Sequence, residues 1–513
     1  MTEHLRNGAT ATEDIERETM RKVIWRILPF LIVSYLVSII DRGNIGMASL
    51  QMNEDLGLSK AAFGFASSLY FVAYFLFEVP SNLAMQKVGA RLWIPRIMIS
   101  WGIVSMCMAL VQNTTSLYIV RFLLGAAEAG FFPGVVLYLT WWIPSRYRAR
   151  IIASFMVAIP LANFIGSPLS GLILSLDGWL GLRGWHLLFI IEGLPAVLLG
   201  IAAWFILRDR PHQAKWLSDE QKKWLETTLE TERSQQKNIG HQTTWQLLKH
   251  RQIWLMALIY AGASSAGTTI SVWSPQLLKS FHLDNLETGL FNAIPYGLAS
   301  VLMIVWGRNS DRTNERRWHT ALTLFMIAAG VFAAFVSVSL SATIVILSIM
   351  LIGAYSMKGP FWALASGWMS STSAAAGLAA IGAIANLIGG AVMVNAYGII
   401  NERTGSYTLA MLPLAALCVA GASRCSLWAG RPAALSYTKN RSRINDDRSG
   451  TFVPLRRLKI FFRRVARFTK ELLTEGLTGA HFLRQTACGR LHQLPYLLLT
   501  TIFRQPRDGA GQG

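Results

Sequence analysis

Residues 27 to 50, ILPFLIVSYLVSIIDRGNIGMASL, decide the fold, because this long apolar stretch carries Asp41 and Arg42 near its middle. A charge inside a bilayer costs roughly 2.5–3.5 kcal/mol on insertion scales unless it faces a cavity or a partner. The uncharged run before Asp41 is only long enough for a core helix, but the uncharged stretch after Arg42 extends it to spanning length. We therefore predict a membrane-spanning helix with an internal ionisable pair. The alternative ends the helix at Ile40 and leaves the pair among the lipid headgroups.

Composition indicates the class of protein. The chain has 513 residues, of which 52% are hydrophobic and only 15% charged, more apolar than a soluble core requires. We therefore predict an all-α polytopic membrane protein. Residues 1–22 lack the basic-then-apolar order of a cleavable signal, so the first span is expected to insert uncleaved. The cysteines show no metal-type spacing and indicate neither a disulfide framework nor a zinc site; they are Cys107, Cys418, Cys425 and Cys488.

Long apolar runs separated by short polar turns predict twelve transmembrane helices arranged as two six-helix bundles. The predicted segments are an N-terminus (1–22), a first bundle (23–207), a charged linker (208–251), a second bundle (252–423) and an atypical basic tail (424–513). The predicted spans are 27–50, 61–78 and beyond, 97–120, 122–143, 151–176, 184–207, 252–278, 288–307, two within 318–357 separated by a turn at VSVSLSAT, 373–400 and 404–423.

Lysine and arginine are concentrated on one side of the predicted membrane. The N-terminus, alternate short turns and the linker are rich in them, whereas the turns near Asn53, Asn113, Asp177, Asp284 and Ser341 are poor. Because cytoplasmic loops carry an excess of positive charge, we expect both termini and the linker to be cytoplasmic. The expected location is the cell inner (plasma) membrane, crossed many times.

A faint internal repeat relates the two halves, as is common in transporters that bind substrate between repeated bundles. A basic turn closes the second helix of each half, as NLAMQKVGAR at 82–91 and GRNSDRTNERRW at 307–318. Both turns resemble the loop signature of the major facilitator superfamily, written G-x-L-a-D-r-x-G-r-k. The later copy has Asp311 and Arg312 but Asn314 at the second glycine, and the earlier copy has Gln86 at the acidic position.

Within that superfamily the chain resembles the anion:cation symporter family. The resemblance covers about residues 20 to 420 and is carried by IIDRGNIG at 39–46, AYFLFEVPSNLAM at 73–85, RFLLGAAEAGFFPGV at 121–135, KGPFWAL at 358–364 and NERTGSY at 401–407. It implies proton-linked import of a small organic anion, such as a sugar acid, a tartrate-like dicarboxylate or an aromatic acid, by alternating access.

The fourth predicted helix carries Arg121 and Glu128 two turns apart and therefore on one face. The protonation of a buried carboxylate depends on whether a nearby guanidinium is engaged elsewhere, which is the coupling that a symporter needs. We therefore assign proton exchange to Asp41 and Glu128 and counter-charge roles to Arg42 and Arg121, and the resemblance implies that Arg42 also meets the substrate carboxylate. The alternative is that Arg121 and Glu128 only tie helices together.

Further substrate-binding candidates lie on the second, tenth and eleventh predicted helices. The resemblance places a tyrosine near Tyr74 against substrate; packing is the alternative. Lys358 can complement an anion and Trp362 can stack on it, although Lys358 can equally reach the headgroups. Asn386 is a candidate hydrogen-bonding wall, but Gly382 stands where many family members carry another asparagine. Two further acids, Glu78 and Glu192, are interpreted as structural.

The C-terminal tail differs from the rest of the chain. From residue 424 it holds 17 Lys and Arg against 5 Asp and Glu, a balance of +12 out of +20. Three accounts remain open: a membrane-surface helix around LRRLKIFFRRVARFTKELL (455–473), attraction to nucleic acid, and translation in a shifted reading frame, which would truncate the twelfth helix.

Three function classes follow from these features. The first is the proton-coupled importer, with the proton as coupling ion and no other cofactor or metal. The second is a facilitator or exporter of the same fold. The third, a membrane enzyme or sensor, is disfavoured because the histidines are scattered and no nucleophile and base set is recognisable. The expected partners are the small anion and the lipid bilayer, without nucleic acid, and the chain is expected to be a monomer.

Overall fold

The computed structural model describes residues 2–237, 250–336, 339–368 and 374–427. Every regular element in these ranges is a helix, which confirms the predicted all-α class. The three accounts of the basic tail, including the shifted reading frame, concern residues beyond 427, which lie outside the described residues.

Eight α-helices form the first half and the linker. Because their residues are mostly apolar, seven of them run through the bundle, and the amphipathic eighth packs against its end. They are α1 (Thr2–Asp55), α2 (Lys60–Val88), α3 (Ala90–Cys107), α4 (Thr114–Glu128), α5 (Phe131–Thr140), α6 (Ser145–Leu174), α7 (Gly184–Ile206) and the linker helix α8 (Asp219–Lys237).

Eight further α-helices form the second half, with one π-helical segment, Leu387–Met393, between α14 and α15. They are α9 (Arg251–Lys279), α10 (Asn285–Thr313), α11 (Arg317–Ala333), α12 (Leu340–Ser356), α13 (Lys358–Trp368), α14 (Ala374–Asn386), α15 (Val394–Thr404) and α16 (Leu412–Leu427). In the described residues eleven helical stretches are long and apolar enough to cross a membrane, and α11 is a shorter apolar helix. Together they account for the twelve predicted spans.

One expectation about an individual helix is confirmed and one is wrong. Helix α1 continues through Asp41 to Asp55, as predicted, so the alternative that ended it at Ile40 does not hold. The bounds of the predicted third span, 97–120, are wrong, because they merge two helices: the chain turns at 111–113 and α4 begins at Thr114. Asn113 caps α4 reciprocally with Ser116, at the turn near Asn113 that the distribution of positive charge had indicated.

The two halves meet through three close helix crossings, α1 with α9, α2 with α15 and α6 with α10. Glycine allows this approach: a Cβ at Gly46 would lie 2.5 Å from the carbonyl oxygen of Ser271, which real side chains do not tolerate. Polar bonds join the halves at the same level, from Lys60 to Asn401 at 3.1 Å and from Gln276 to Ser49 at 2.9 Å. These contacts lie toward the helix ends that are farthest from the linker.

The linker packs on the opposite face of the first half. Glu232 of α8 accepts hydrogen bonds from the backbone and hydroxyl of Ser145 at 2.9 and 2.8 Å and lies 3.6 Å from Arg148. Glu16 at the start of α1 pairs with Arg146. The N-terminal segment, the turn before α6 and the linker helix therefore share one face.

Candidate substrate and coupling site

A break in the fourth membrane span places Glu128 at the end of a helix. Helix α4 stops at Glu128, and Gly130 adopts a left-handed conformation with φ of 87° before α5 begins. A Cβ at Gly130 would lie 2.5 Å from the hydroxyl of Ser81, so a larger residue would be both strained and crowded. A break in a membrane helix leaves backbone groups without their usual hydrogen bonds. Such breaks therefore occur where protein or a water-filled cavity supplies partners, as at the binding sites of transporters.

The Glu128 carboxylate is completely buried and receives three hydrogen bonds. The hydroxyl of Ser38 donates to Oε1 at 2.7 Å, Nη2 of Arg42 donates to the same oxygen at 2.6 Å, and the hydroxyl of Tyr70 donates to Oε2 at 2.5 Å. The donors come from α1 and α2, so Glu128 joins three helices. The Arg42 side chain keeps 25% exposure and is therefore the part of this cluster that a ligand can reach.

Arg42 also lies against two aromatic rings of α2. Its guanidinium carbon is 5.0 Å from the centre of the Tyr74 ring and 5.6 Å from that of Tyr70. Such cation–π contacts hold an arginine in place without using its N–H donors. Tyr74, predicted as a substrate contact, thus lies beside the exposed part of Arg42.

Arg121 is 1% exposed and, among the described residues, forms no ion pair with Glu128 on its own helix, because that carboxylate pairs with Arg42. Its guanidinium lies 5.0 Å from the Tyr70 ring centre, and its Nε and Nη1 have no hydrogen-bond partner among the described residues. The charges of Asp41 and Glu128 both act on it. The carboxylate that the sequence paired with Arg121 is therefore bonded to Arg42 of another helix.

Asp41 belongs to a second polar cluster, although it is adjacent to Arg42 in sequence. Successive residues of a helix point about 100° apart, and Asp41 is 1% exposed and turned toward α3. Its Oδ1 accepts hydrogen bonds from Ser105 at 2.5 Å and from Asn44 at 3.0 Å. All four predicted ionisable residues therefore lie inside the bundle. Arg42 and Glu128 belong to one hydrogen-bonded cluster, and Asp41 belongs to another.

The second half contributes a cation, an aromatic ring and an amide. The Lys358 ammonium lies 4.7 Å from the centre of the Tyr355 ring, Trp362 packs on Tyr260 with ring centres 4.8 Å apart, and the hydroxyl of Ser264 donates to Asn386 at 2.9 Å. Lys358 is half-buried and Asn386 is exposed. At Gly382 a Cβ would lie 3.7 Å from the Trp362 ring, so the position where relatives of the predicted family carry asparagine is next to this tryptophan.

Tyr35 is a buried tyrosine of α1 whose ring stacks on Phe132 with ring centres 5.1 Å apart. It lies within electrostatic range of Arg42 and Glu128 on its own half and of Tyr260 on the other. Tyr355 of the second half packs against Tyr296 with ring centres 6.3 Å apart.

Sequence reasoning missed the residues that complete these clusters. Ser38, Tyr70 and Ser105 were not singled out, yet each donates a hydrogen bond to one of the buried carboxylates. A signal was present for two of them, since Ser38 precedes Arg42 by one helical turn and Tyr70 precedes Tyr74 by one turn. In the part of the chain that the structure describes, no group of three or more His, Cys, Asp or Glu is placed to hold a metal ion.

The family follows from a model of the Major Facilitator Superfamily that matches residues 31–394. The chain belongs to this superfamily. The resemblance noted from the sequence is thereby confirmed, and the protein is a membrane transporter, not an enzyme. A protein named "Putative tartrate transporter" from Agrobacterium vitis is 46% identical over 403 residues, 79% of this chain and 89% of that protein.

Two other comparisons show the breadth of the superfamily around this chain. A "Quinolone resistance transporter" from Acinetobacter baumannii is 39% identical over 397 residues, 77% of this chain and 91% of that protein. The solved xylose transporter XylE from E. coli, in a partially occluded inward open conformation, matches with a TM-score of 0.65 and 14% identity, covering 82% of this chain and all of that one. At that identity the likeness concerns the major facilitator fold alone.

Proposed function

We propose that this protein imports a small organic anion together with protons by alternating access, and that the anion is a tartrate-like dicarboxylate or a sugar acid. The observation that carries the proposal is the Arg42 and Glu128 pair, in which a fully buried carboxylate is bonded to an arginine that keeps 25% exposure. The Arg42 guanidinium can therefore bind either the buried Glu128 carboxylate or the carboxylate of a substrate.

The pair provides a way to couple two ligands. When Glu128 is ionised, Arg42 neutralises it, and Ser38 and Tyr70 complete its hydrogen bonds. A proton on Glu128 removes the negative charge that holds Arg42, and the planar guanidinium is then free to grip a substrate carboxylate with two hydrogen bonds. Substrate and proton therefore favour each other, which is the thermodynamic requirement of a symporter.

The substrate class is supported by charge and by similarity. Arg42 on the first half and Lys358 on the second give two separate cations, each over a tyrosine ring, as a dicarboxylate would use. Tyrosine, serine and asparagine supply hydrogen bonds for hydroxyl groups. The name of the 46% identical relative from Agrobacterium vitis points in the same direction.

Transport by purified protein tests the proposal. In proteoliposomes, labelled L-tartrate should accumulate when an inward proton gradient is imposed, and protonophore should abolish the accumulation. Glu128→Gln should lose accumulation but keep tartrate exchange between the two sides of the membrane, because exchange needs no net proton movement. Glu230→Gln, the same change at an exposed acid on α8, is the control. Accumulation by Glu128→Gln at the normal level would remove Glu128 from coupling.

A second candidate is an exporter or uncoupled facilitator of the same fold, favoured by the 39% identity to a quinolone resistance transporter. Under that function, tartrate flux would not respond to a proton gradient. Cells that express the protein would instead tolerate higher quinolone concentrations.

We also propose the membrane setting. The basic turns and the linker would lie in the cytoplasm and the protein in the inner membrane, as the distribution of lysine and arginine predicts. The N-terminal segment and α8 share one face, as this orientation requires. The contacts between the halves would then close the outer side, and the monomer would open inward.

A further inference from the structure

A buried polar cluster centred on Glu192 lies outside the substrate site. Glu192 on α7 is 4% exposed, and its Oε1 accepts a hydrogen bond from the hydroxyl of Ser170 on α6 at 2.7 Å. Its Oε2 is buried and has no hydrogen-bond partner among the described residues. Sequence reasoning treated this acid as structural, but a tie between two helices would use both oxygens.

Asn44 joins Glu192 to Asp41. The Asn44 amide, 1% exposed, donates to Asp41 at 3.0 Å and also acts on the Glu192 carboxylate, and the charge of Asp41 itself acts on Glu192. Oδ1 of Asn44 and Oδ2 of Asp41 are buried and, in the described part of the chain, lack hydrogen-bond partners. Three acceptor oxygens in one buried group are therefore available, and a bound positive species would satisfy them.

The charge balance favours a proton. The groups that face Asp41 and Glu192 are Asn44 of α1, Ser105 of α3, Arg121 and Glu128 of α4, and Ser170 of α6. Only Arg121 among them is cationic, and it also faces Glu128. Two carboxylates in one low-dielectric site do not both stay ionised without compensation, because desolvation and mutual repulsion both favour protonation of one of them.

A polar path leads from Glu192 toward the contact between the halves. Ser170 lines a cavity of about 10 Å³ with Ser167 and Asn292, a volume that holds about one water. Asn292 of α10 donates to Ser167 at 2.9 Å and accepts from Ser274 of α9 at 2.6 Å. Hydrogen-bonding side chains therefore extend from the α6 and α10 crossing, through Asn292 and Ser167, to Ser170, which contacts Glu192.

We propose that Glu192 and Asp41 form a second proton-binding site, in which the two carboxyl groups hold one proton between them and Glu192 exchanges it along the path through Ser170. The proton reaches the small cavity as hydronium; the Ser170 hydroxyl passes its own proton to Glu192 while it accepts one from the hydronium, a neutral water is left behind, and Glu192 shares the proton with Asp41. The place of this site in transport rests on the proposed proton coupling, but proton binding itself does not.

Infrared difference spectroscopy of the purified protein tests proton binding directly. A titration across neutral pH should show the carbonyl stretch of a protonated buried carboxyl, and Glu192→Gln and Asp41→Asn should each remove it, because the shared proton needs both groups. Glu230→Gln, at an exposed acid of α8, should leave it unchanged. Persistence of the band in both variants, or its replacement by a sodium-dependent signal when sodium is exchanged for choline, would overturn the proposal.

Transport then separates this site from the primary function. If the wild-type protein accumulates tartrate with a proton gradient, Glu192→Gln should lower that accumulation at least tenfold while tartrate exchange continues, and an unchanged accumulation would exclude Glu192 from coupling. If the wild-type protein does not accumulate tartrate, the importer proposal fails and the infrared result still decides the proton site. Ser170→Ala, which keeps both acids, should slow proton exchange and preserve the band, and it shows that the fold survives a change here.

Discussion

The two halves of this transporter differ in how they hold charge. The first half buries its ionisable residues, and two of them form the Arg42 and Glu128 bond at 2.6 Å. The second half presents Lys358 over a tyrosine ring, without an acidic partner among the described residues, beside Trp362 and an exposed Asn386. We infer that a buried pair can store a protonation state, whereas a half-buried cation over an aromatic ring is suited to receive an anion.

The largest effect is expected from Arg42→Ala. Removing one member of a buried ion pair costs about 3–5 kcal/mol because the other charge is left unpaired, which corresponds to about 100-fold or more in affinity or rate. Labelled tartrate uptake should fall by that factor, and the melting temperature in detergent should fall with it. Arg42→Lys should recover folding but not uptake, because an ammonium cannot form the two-bond fork. Normal uptake by Arg42→Ala would contradict the role of the buried Arg42 and Glu128 pair in the first half.

A smaller and different effect is expected from Lys358→Met in the second half. Loss of one charge-assisted hydrogen bond costs about 1.5 kcal/mol, or roughly tenfold in affinity. Titration calorimetry should show weaker tartrate binding, while the ratio of protons to tartrate transported stays the same. If Lys358→Met abolished coupling and left affinity intact, the assignment of the two roles to the two halves would be reversed.

A moderate effect is expected from Tyr70→Phe, which removes one of the three donors to Glu128 and keeps the ring beneath both arginines. The loss of one hydrogen bond corresponds to about 1 kcal/mol or roughly fivefold. Gradient-driven uptake should fall by about that factor. Tyr118→Phe, the same change on α4 at a ring that packs against Phe65 outside the cluster, is the matched control. Equal losses in the two variants would indicate that the Tyr70 hydroxyl has no special role.

The smallest effect concerns the repeated basic turns. In the second half Glu315 accepts bonds from the backbones of Trp318 and His319. Burial acts to raise the pKa of Glu315, but the hydrogen bonds from His319 and these backbone groups hold that pKa below its ordinary value. The stabilisation is therefore present at neutral pH and is lost as the pH falls through the lowered pKa.

Glu315→Gln should accordingly lower the melting temperature slightly at neutral pH, and the difference from wild type should narrow in acid. Glu230→Gln, at an exposed position on α8, should show no such pH-dependent difference. A deficit in Glu315→Gln that widened in acid would contradict the direction of the shift. In the first half the corresponding carboxylate comes from the linker, where Asp209 accepts from the backbone of Arg91 at 2.9 Å.

Most helices could be predicted because spanning length and hydropathy are local properties of the chain. The end of α7 was placed within one residue, at Leu207 against Ile206, and the limits of α9 within one residue at each end. The bounds of the third span were wrong because residues 97–120 carry no charge, although the polar stretch QNTTS at 112–116 and the predicted turn near Asn113 mark the boundary that the Asn113 cap forms.

The candidate site was predictable in membership but not in pairing. Burial of an acid or an arginine in a spanning helix marks it as functional whatever its partner, so Asp41, Arg42, Arg121 and Glu128 could be named from sequence. Same-helix spacing placed Arg121 and Glu128 on one face, and both Arg42 and Arg121 were assigned as counter-charges. In the structure Glu128 is bonded to Arg42 of α1, because the rotation of neighbouring helices decides which side chains meet.

The amino-acid sequence by itself determined the helical class, the twelve apolar segments, the superfamily and the presence of charges within the first and fourth spans, since each depends on residue type and local spacing. Only the tertiary structure decided that Asp41 turns away from Arg42 toward Ser105, and that Glu192 joins it through Asn44. The physical reason is that these contacts arise between helices far apart in sequence, where packing at glycines such as Gly46 sets distance and rotation.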